Sequence, residues 1–330
     1  MSATPRRFEA TEAKRTAVPV SVGLIGPSGS GKTESALRIA TGMQSVTGGD
    51  IYGIDTEAGR MLHYADRYKF KHVPFNAPFG SLDYLEAIKF CVSQGAKNII
   101  IDSTSHEHEG PGGYLMTHAD EIQRMAGDDW KKAERVKFSA WIKPAANRRL
   151  LINTIVQTNA NFVFCFRSKE KLKLERGKDP EPLGWMPIAG DEFLYELTTC
   201  ALLRPGAKGV PTWEPDGIGE RQMTKTAHQF APIYRKDGPL DEEVGRMLAT
   251  WGAGGEIGAK PKPTVDPAAA AETWANARLV DLNAILADPT PAAYDDFMAT
   301  HGPALGKLTR NHPDLASILN ETIQQIRDKL

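Results

Sequence analysis

VPVSVGLIGPSGSGKTESALRIA, residues 18–40, is the stretch that decides the fold. It joins an apolar run, a glycine-rich turn and a helical pattern, which is the order strand, loop, helix. Gly26, Gly31, Lys32 and Thr33 fit the spacing G-x-x-x-x-G-K-[ST]. Because the motif comes with the strand before it and the helix after it, we predict a phosphate-binding loop and not a plain turn.

This loop, a P-loop, predicts a nucleoside triphosphate, ATP, as ligand. Successive backbone N–H groups and the positive end of the following helix converge on the phosphates. Lys32 is predicted to reach the β and γ oxygens, and the Thr33 hydroxyl to ligate Mg²⁺. The predicted nucleotide-binding residues are Gly26, Pro27, Ser28, Gly29, Ser30, Gly31, Lys32, Thr33 and Glu34.

A second magnesium ligand is expected at the end of another buried strand. The run NIIIDS, residues 98–103, supplies Asp102 after three isoleucines, as in a Walker B strand. Ser103 stands where many P-loop ATPases place a glutamate, so the catalytic base must come from elsewhere. The run YGIDTEAGR, residues 52–60, is another strand ending in acid, and it makes Glu57 the candidate base.

The rest of the chain predicts an α/β core followed by a helical module. β-branched runs alternate with helical patterns up to Trp251, which is typical of a mainly parallel sheet. Strands are predicted at 18–25, 51–55, 71–75, 98–102, 161–166 and 199–204, with a partner strand at 210–215, and helices at 32–44, 81–94 and 141–158. The predicted division is an N-terminal arm 1–17, a core 18–252, a Gly/Pro/Ala-rich linker 253–271 and a three-helix module 272–330.

Composition restricts the partners and the compartment. The formal net charge of −1 gives no global basic field, so any nucleic-acid contact needs a local patch. Cys91, Cys165 and Cys200 lie in apolar runs without a CxxC pair, which favours a reducing, cytoplasmic setting. No stretch predicts a signal peptide or a membrane span.

These motifs together resemble those of RecA-like recombinases. The specific stretches are IDTEAGR, IIIDSTSHEHEG, FCFRSKEK and PLDEEVGRMLATWG, and within that family they look most like the phage RecA-like ATPases of the Sak type, which act in single-strand annealing and recombination. The resemblance spans residues 18–252 and leaves the C-terminal helices unexplained. It implies a RecA-like fold, oligomers with ATP between protomers, and Glu57 as catalytic base.

The resemblance also implies two further site residues. Arg167 ends the strand NFVFCFRSKEK, where a polar group beside Ser168 would sense the γ-phosphate. Lys225, in RQMTKTAHQFAP, would offer a cation to ATP bound on a neighbouring protomer. A strand-capping arginine and a solvated surface lysine are the plain alternatives.

The run HEHEG, residues 106–110, invites a metal site, but it lacks the helical HExxH spacing and any cysteine partner of zinc. We expect this segment to respond to the γ-phosphate, with Glu107 as a reserve candidate for the base.

Single-stranded DNA is the polymer predicted to bind, on two loops at 105–137 and 168–192. The second loop, together with the end of the strand before it, contains RSKEKLKLERGK, with six basic and two acidic side chains, followed by Trp185. Binding of a single strand needs cations that contact the phosphates and an aromatic ring that stacks on a base. The plain alternative is a charged hairpin exposed to solvent. The candidate DNA-binding residues are Lys131, Lys132, Lys169, Lys171, Lys173, Arg176 and Trp185.

Other tryptophans and aliphatic residues are assigned to the core. Trp141, Ile142, Leu150, Leu151 and Ile155 have helical spacing, which predicts a buried helix face.

The sequence therefore predicts a Mg-dependent, RecA-like ATPase that oligomerises and acts on single-stranded DNA in phage recombination, annealing or replication. A ring-forming helicase, loader or protein-remodelling motor is the first alternative. The second is an ATP-gated binding module that recruits a single-strand-binding or replisome protein through residues 272–330. A P-loop kinase is disfavoured, because no lid with clustered arginines is evident.

Overall fold

The computed structural model describes residues 10, 12–13, 18–174, 179–255 and 267–330. The chain divides into two compact units, Met1–Lys262 and Pro263–Leu330. Most of the predicted arm 1–17 and of the predicted linker 253–271 lies outside the described residues. Within them, no helix has the length and apolar character needed to cross a membrane.

The first unit is built on an eight-stranded sheet in the order β3-β2-β4-β5-β1-β7-β8, with β6 paired to β5. Six of these strands run parallel; β6 and β8 are antiparallel to their neighbours. The strands are β1 Ser21–Gly26, β2 Ile51–Asp55, β3 Lys71–Pro74, β4 Asn98–Asp102, β5 Asn161–Lys173, β6 Glu181–Pro187, β7 Thr199–Leu202 and β8 Lys225–Thr226.

The nine α-helices described in this unit connect the strands and cover both faces of the sheet. They are α1 Lys32–Thr47, α2 Ser81–Ser93, α3 Ser105–Glu109, α4 Tyr114–Ala126, α5 Trp130–Val136, α6 Ile142–Gln157, α7 Asp191–Tyr195, α8 Ile218–Met223 and α9 Glu242–Gly252. Short 3₁₀ helices occupy Arg60–Tyr64, Ser139–Trp141 and His228–Ile233.

Two apolar layers hold the sheet, one on each face. On one face, Leu24 and Val163 pack with Leu37 of α1 and Leu248 of α9. On the other, Phe164 and its neighbours pack with α2, α6 and α7. Strands buried on both faces read as continuous apolar runs, which is why NIIID and NFVFCF stand out in the sequence.

The predicted fold class, a mainly parallel α/β core with a C-terminal helical module, is confirmed. Because these strands are parallel, β1, β2 and β4 end at one edge of the sheet, where β5 continues outward. At that edge Asp55 pairs with Asp102 and Gly26 pairs with Arg167, which lies two residues beyond Cys165, the partner of Asp102. The predicted strand at 210–215 is wrong: Thr212 makes an isolated bridge to Leu202, and β8 is the strand that pairs with β7.

The segment 105–137, predicted as a loop, is helical. It forms α3, α4 and α5. The Trp141–Ile155 assignment is also partly wrong, since Ile142 is 71% exposed and Leu150 is 51% exposed, whereas Leu151 and Ile155 are buried. The helix has one buried stripe, and positions 142 and 150 fall outside it.

Strand β5 continues beyond the sheet and forms an antiparallel hairpin with β6. Its first six residues are buried, but the part from Lys169 to Lys173 is exposed. This β5–β6 hairpin occupies the second predicted loop, 168–192, and residues 175–178 between its strands lie outside the described part.

The second unit contains the helices α10 Pro267–Ala287, α11 Pro291–Asn311 and α12 Pro313–Arg327, as predicted. They enclose their own apolar core, which includes Leu282, Phe297, Leu308 and Ile326.

Candidate functional site

The glycine-rich turn lies between β1 and α1, and its last glycine is required by geometry. Gly31 has φ +98°, and a Cβ atom there would lie 2.6 Å from the backbone nitrogen of Gly209. A side chain at this position would therefore be strained as well as crowded. The following Lys32 is only 8% exposed, and its Nζ donates to the carbonyl of Pro27 at 2.8 Å. Burial lowers the pKa of Lys32, so an anion in the cavity would be a favourable partner for this ammonium group.

Thr33 and Asp102 form the candidate magnesium site. The Thr33 hydroxyl donates to Asp102 Oδ2 at 2.5 Å, although the residues are 69 positions apart in the chain. Asp102 is 5% exposed, and burial raises its pKa to about 6. A hydroxyl and a buried carboxylate are oxygen donors of the kind Mg²⁺ prefers, so the residues fit the ion. Bound there, Mg²⁺ would supply positive charge beside the phosphates of a nucleotide.

Glu57, the candidate base, follows β2 and is held by two arginines. Its Oε1 accepts from Arg167, at 3.0 Å from Nε and 2.9 Å from Nη2. Its Oε2 accepts from Arg60 Nη1 at 3.2 Å. The backbone N–H of Glu57 donates to Asp55 Oδ1 at 2.7 Å, which fixes the turn that presents the side chain.

One cavity of about 560 Å³ brings these groups together. Lys32, Thr33, Glu57, Asp102 and Arg167 all line it, together with Ser28, Gly29 and Gly31 of the loop. Sequence reasoning missed other lining residues, namely Arg60, His63, Tyr64 and Ile188, and it named Ser168 only as a companion of Arg167 and Glu109 only as part of the HEHEG segment.

Two of these residues carry chemistry useful for a nucleotide. Tyr64 offers an aromatic ring, and the guanidinium of Arg67 lies 5.3 Å from its centroid. Ser168 is 8% exposed, and its buried hydroxyl has no hydrogen-bond partner within the described structure. The fold places both residues at the cavity, because Tyr64 lies on a 3₁₀ helix after Glu57 and Ser168 directly follows Arg167 on β5.

The HEHEG segment does not enter the cavity through Glu107, so the reserve assignment of that residue as base is wrong. Glu107 is 3% exposed and forms a bidentate pair with Arg148, at 2.8 and 3.1 Å. It also accepts from the Ser81 hydroxyl at 2.5 Å. His106 contacts the Thr56 hydroxyl through Nδ1 at 2.7 Å, and no cluster of three or more metal-ligating side chains occurs in the described ranges.

Lys225 lies on β8, away from the cavity of its own chain. Its Nζ donates to the carbonyls of Tyr195, at 2.9 Å, and Leu197, at 2.5 Å. Both acceptors are neutral carbonyls, and the residue is exposed.

The DNA-binding candidates fall on two surfaces. Lys169, Lys171 and Lys173 lie on the exposed part of β5, and Trp185 lies opposite Glu170 on β6, half-buried against the core. Lys131 and Lys132 lie in the first turn of α5 beside Trp130, which is 70% exposed. Sequence reasoning missed Phe138, which is 86% exposed near the same helix. Arg176 lies outside the described residues.

The comparisons with known proteins add little to this geometry. No protein-family model matches the chain, and no curated protein matches it. Among solved structures, the chain is similar to a KaiC-like protein of the hyperthermophilic archaeon Pyrococcus horikoshii, at 14% sequence identity and a TM-score of 0.28. The match covers 59% of this chain and 82% of that one. A similarity this weak carries no argument about ligand or activity, so the function must be inferred from the cleft itself.

Proposed function

We propose that this chain is a Mg-dependent ATPase of RecA-like type that oligomerises and acts on single-stranded DNA in phage recombination, annealing or replication. One observation carries the ATPase proposal. The cavity of about 560 Å³ gathers a P-loop lysine, a hydroxyl–carboxylate pair suited to magnesium and a separate glutamate from the carboxyl ends of the parallel strands β1, β4 and β2.

Each side chain in the cavity has a role that its position supports. The ammonium of Lys32 neutralises charge on the β and γ phosphates, while backbone N–H groups of the loop bind the phosphate oxygens. Thr33 and Asp102 hold the metal ion. Glu57 accepts a hydrogen bond from the attacking water and orients it, and the ring of Tyr64 provides a face for the nucleobase.

The DNA part of the proposal is supported by exposed cations beside aromatic rings. Lys169 and Lys171 project from the hairpin, and Lys131 and Lys132 lie next to the exposed ring of Trp130. Cations bind phosphates, and exposed rings stack on unpaired bases. Both surfaces belong to segments that leave β4 and β5 at the edge where the cavity lies, so bound DNA can influence the cavity.

Oligomerisation and the role of Lys225 are proposals that rest on the resemblance in sequence. Lys225 is exposed and donates to two neutral carbonyls, so exchanging them for a phosphate of a neighbouring protomer would be favourable.

The experiment is steady-state ATP hydrolysis with and without single-stranded DNA, at low and moderate salt. We expect stimulation by DNA that weakens as salt rises, and its loss in Glu57→Gln. Salt-dependent binding adds a second readout: the double variant Lys169→Ala/Lys171→Ala should flatten the slope of log K against log salt by about one to two units. Lys71→Ala/Lys97→Ala, at the opposite edge of the sheet, is the matched control. Unstimulated turnover without salt-dependent DNA binding would contradict the DNA proposal.

The ATP-gated module is the second candidate, because the C-terminal helices form a compact unit of their own. Deleting residues 253–330 separates the two. DNA-stimulated hydrolysis should survive the deletion if the core acts on DNA by itself, whereas recruitment of a replication partner should disappear if the helices are the docking module.

A further inference from the structure

The segment 203–210, which follows β7, packs against the P-loop without lining the cavity. Leu203 donates its N–H to the carbonyl of Ile25, near the end of β1, at 2.7 Å. Gly209 donates its N–H to the carbonyl of Ser30, a residue of the P-loop, at 3.1 Å. The 203–210 segment is therefore attached both to the strand before the P-loop and to the loop itself.

Gly209 is confined between the P-loop and its neighbours, and its position disfavours a side chain. It has φ +82°, and a Cβ atom there would lie 2.8 Å from the hydroxyl oxygen of Ser35 on α1. Its carbonyl accepts from the N–H of Leu240 at 2.9 Å. Any other residue at position 209 would be strained by this backbone conformation and would also crowd Ser35, so glycine is the residue that can reach Ser30 without strain.

The hydrogen bond from Gly209 fixes the orientation of one peptide group in the P-loop, the one between Ser30 and Gly31. This peptide is trans, and in a trans peptide the C=O and the N–H point in opposite directions. Because the Ser30 carbonyl points to Gly209, the Gly31 N–H points away from the 203–210 segment. Gly31 lines the cavity, and no acceptor within the described residues takes its N–H. This N–H is therefore available as a donor to a ligand.

We propose that Gly209 is a positioning residue of the phosphate site. Its N–H holds the Ser30 carbonyl on the side away from the ligand and thereby directs the Gly31 N–H to a phosphate oxygen of the nucleotide. That oxygen is a charged acceptor, so the hydrogen bond is stronger than one between neutral groups. Gly209 itself contacts no phosphate. The orientation of the Gly31 N–H is a property of the fold, and only its use for a nucleotide rests on the proposed function.

The first test uses the full chain without any nucleotide. Gly209→Ala introduces strain at φ +82°, whereas the matched control Lys208→Gly changes the preceding residue, whose φ of +47° a glycine adopts without strain. The amide NMR chemical shifts of Ser30 and Gly31 should change in Gly209→Ala and stay close to wild type in Lys208→Gly. Unchanged shifts in Gly209→Ala would overturn the positioning role, whether or not the protein binds ATP.

The second test measures the affinity for ADP and for a non-hydrolysable ATP analogue, both with Mg²⁺. Gly209→Ala should weaken the binding of both nucleotides by about tenfold to hundredfold, because one hydrogen bond to a charged phosphate is lost. Lys208→Gly should bind both as wild type does. Equal affinities of Gly209→Ala and wild type would overturn the proposal. Absence of binding in wild type would instead contradict the proposed function, and the NMR comparison would still decide the orientation of the amide.

The third test separates positioning from a loss of stability. The double variant Gly209→Ala/Ser35→Ala removes the hydroxyl that the new methyl group crowds, and it should recover about threefold of the lost affinity, whereas Ser35→Ala alone should bind as wild type does. In steady-state hydrolysis, Gly209→Ala should raise KM by more than it lowers kcat, because the amide contacts the phosphate before the reaction as well as during it. A lower melting temperature with an unchanged KM would mean that the 203–210 segment only stabilises the fold, and it would overturn the positioning role.

Discussion

Two arginine–glutamate ion pairs involve glutamates that follow strands of this sheet, and the side chains of the two pairs differ in solvent exposure. Arg148 and Glu107 have side chains that are 2% and 3% exposed, whereas those of Arg167 and Glu57 are 40% and 16% exposed. The buried pair has further partners: Ser81 and Glu192 bond to it, and the Tyr114 ring lies 3.3 Å from the Arg148 guanidinium carbon. The exposed pair lies at the cavity. The same kind of ion pair therefore stabilises the fold where it is buried, whereas the pair at the cavity is accessible to other partners.

The largest expected effect separates the two glutamates by their role in hydrolysis. Glu57→Gln should lower ATP turnover by about 10²–10⁴-fold, because an amide cannot act as a general base, with little change in melting temperature. Glu107→Gln should leave turnover of the folded protein near the wild-type value while lowering its melting temperature. Turnover and thermal unfolding of both variants are the measurements. Equal loss of turnover in the two variants would contradict the different roles of Glu57 and Glu107.

The next effect concerns the buried pair. Arg148→Met should reduce the free energy of unfolding by about 3–5 kcal/mol, because it leaves the carboxylate of Glu107 buried without a counter-charge. Arg149→Met, at the exposed neighbouring position, is the control and should change the free energy by less than about 0.5 kcal/mol. Urea unfolding of the full chain measures both. A small loss in Arg148→Met would mean that Glu107 finds another partner.

The smallest effect tests the helix that carries Arg148. Leu151→Ala should reduce the free energy of unfolding by about 2–5 kcal/mol, since Leu151 is 1% exposed and packs in the core. Leu150→Ala, one residue earlier and 51% exposed, should cost less than about 0.5 kcal/mol. If urea unfolding shows equal losses of unfolding free energy in the two variants, Leu150 belongs to the core, as the sequence predicted.

The amino-acid sequence by itself determined those features that depend on short, contiguous stretches of the chain. The P-loop is one contiguous stretch whose spacing is set by backbone geometry, and Asp102 and Glu57 each follow an apolar run that can only be a buried strand. Parallel strands end at one edge, so their meeting at the cavity also follows from the sequence. The three C-terminal helices have periodic patterns that identify them without tertiary information.

Only the tertiary structure decided the partner of each charged group. Arg148 lies 41 positions from Glu107, and Arg167 lies 110 positions from Glu57, and no local spacing connects either pair. The sequence therefore offered Glu107 as a possible base, while the fold buried it against an arginine. It also described 105–137 as a loop, although tertiary packing stabilises helices there. The free energy of an ion pair depends on its solvent exposure, and exposure is a property of the folded chain as a whole.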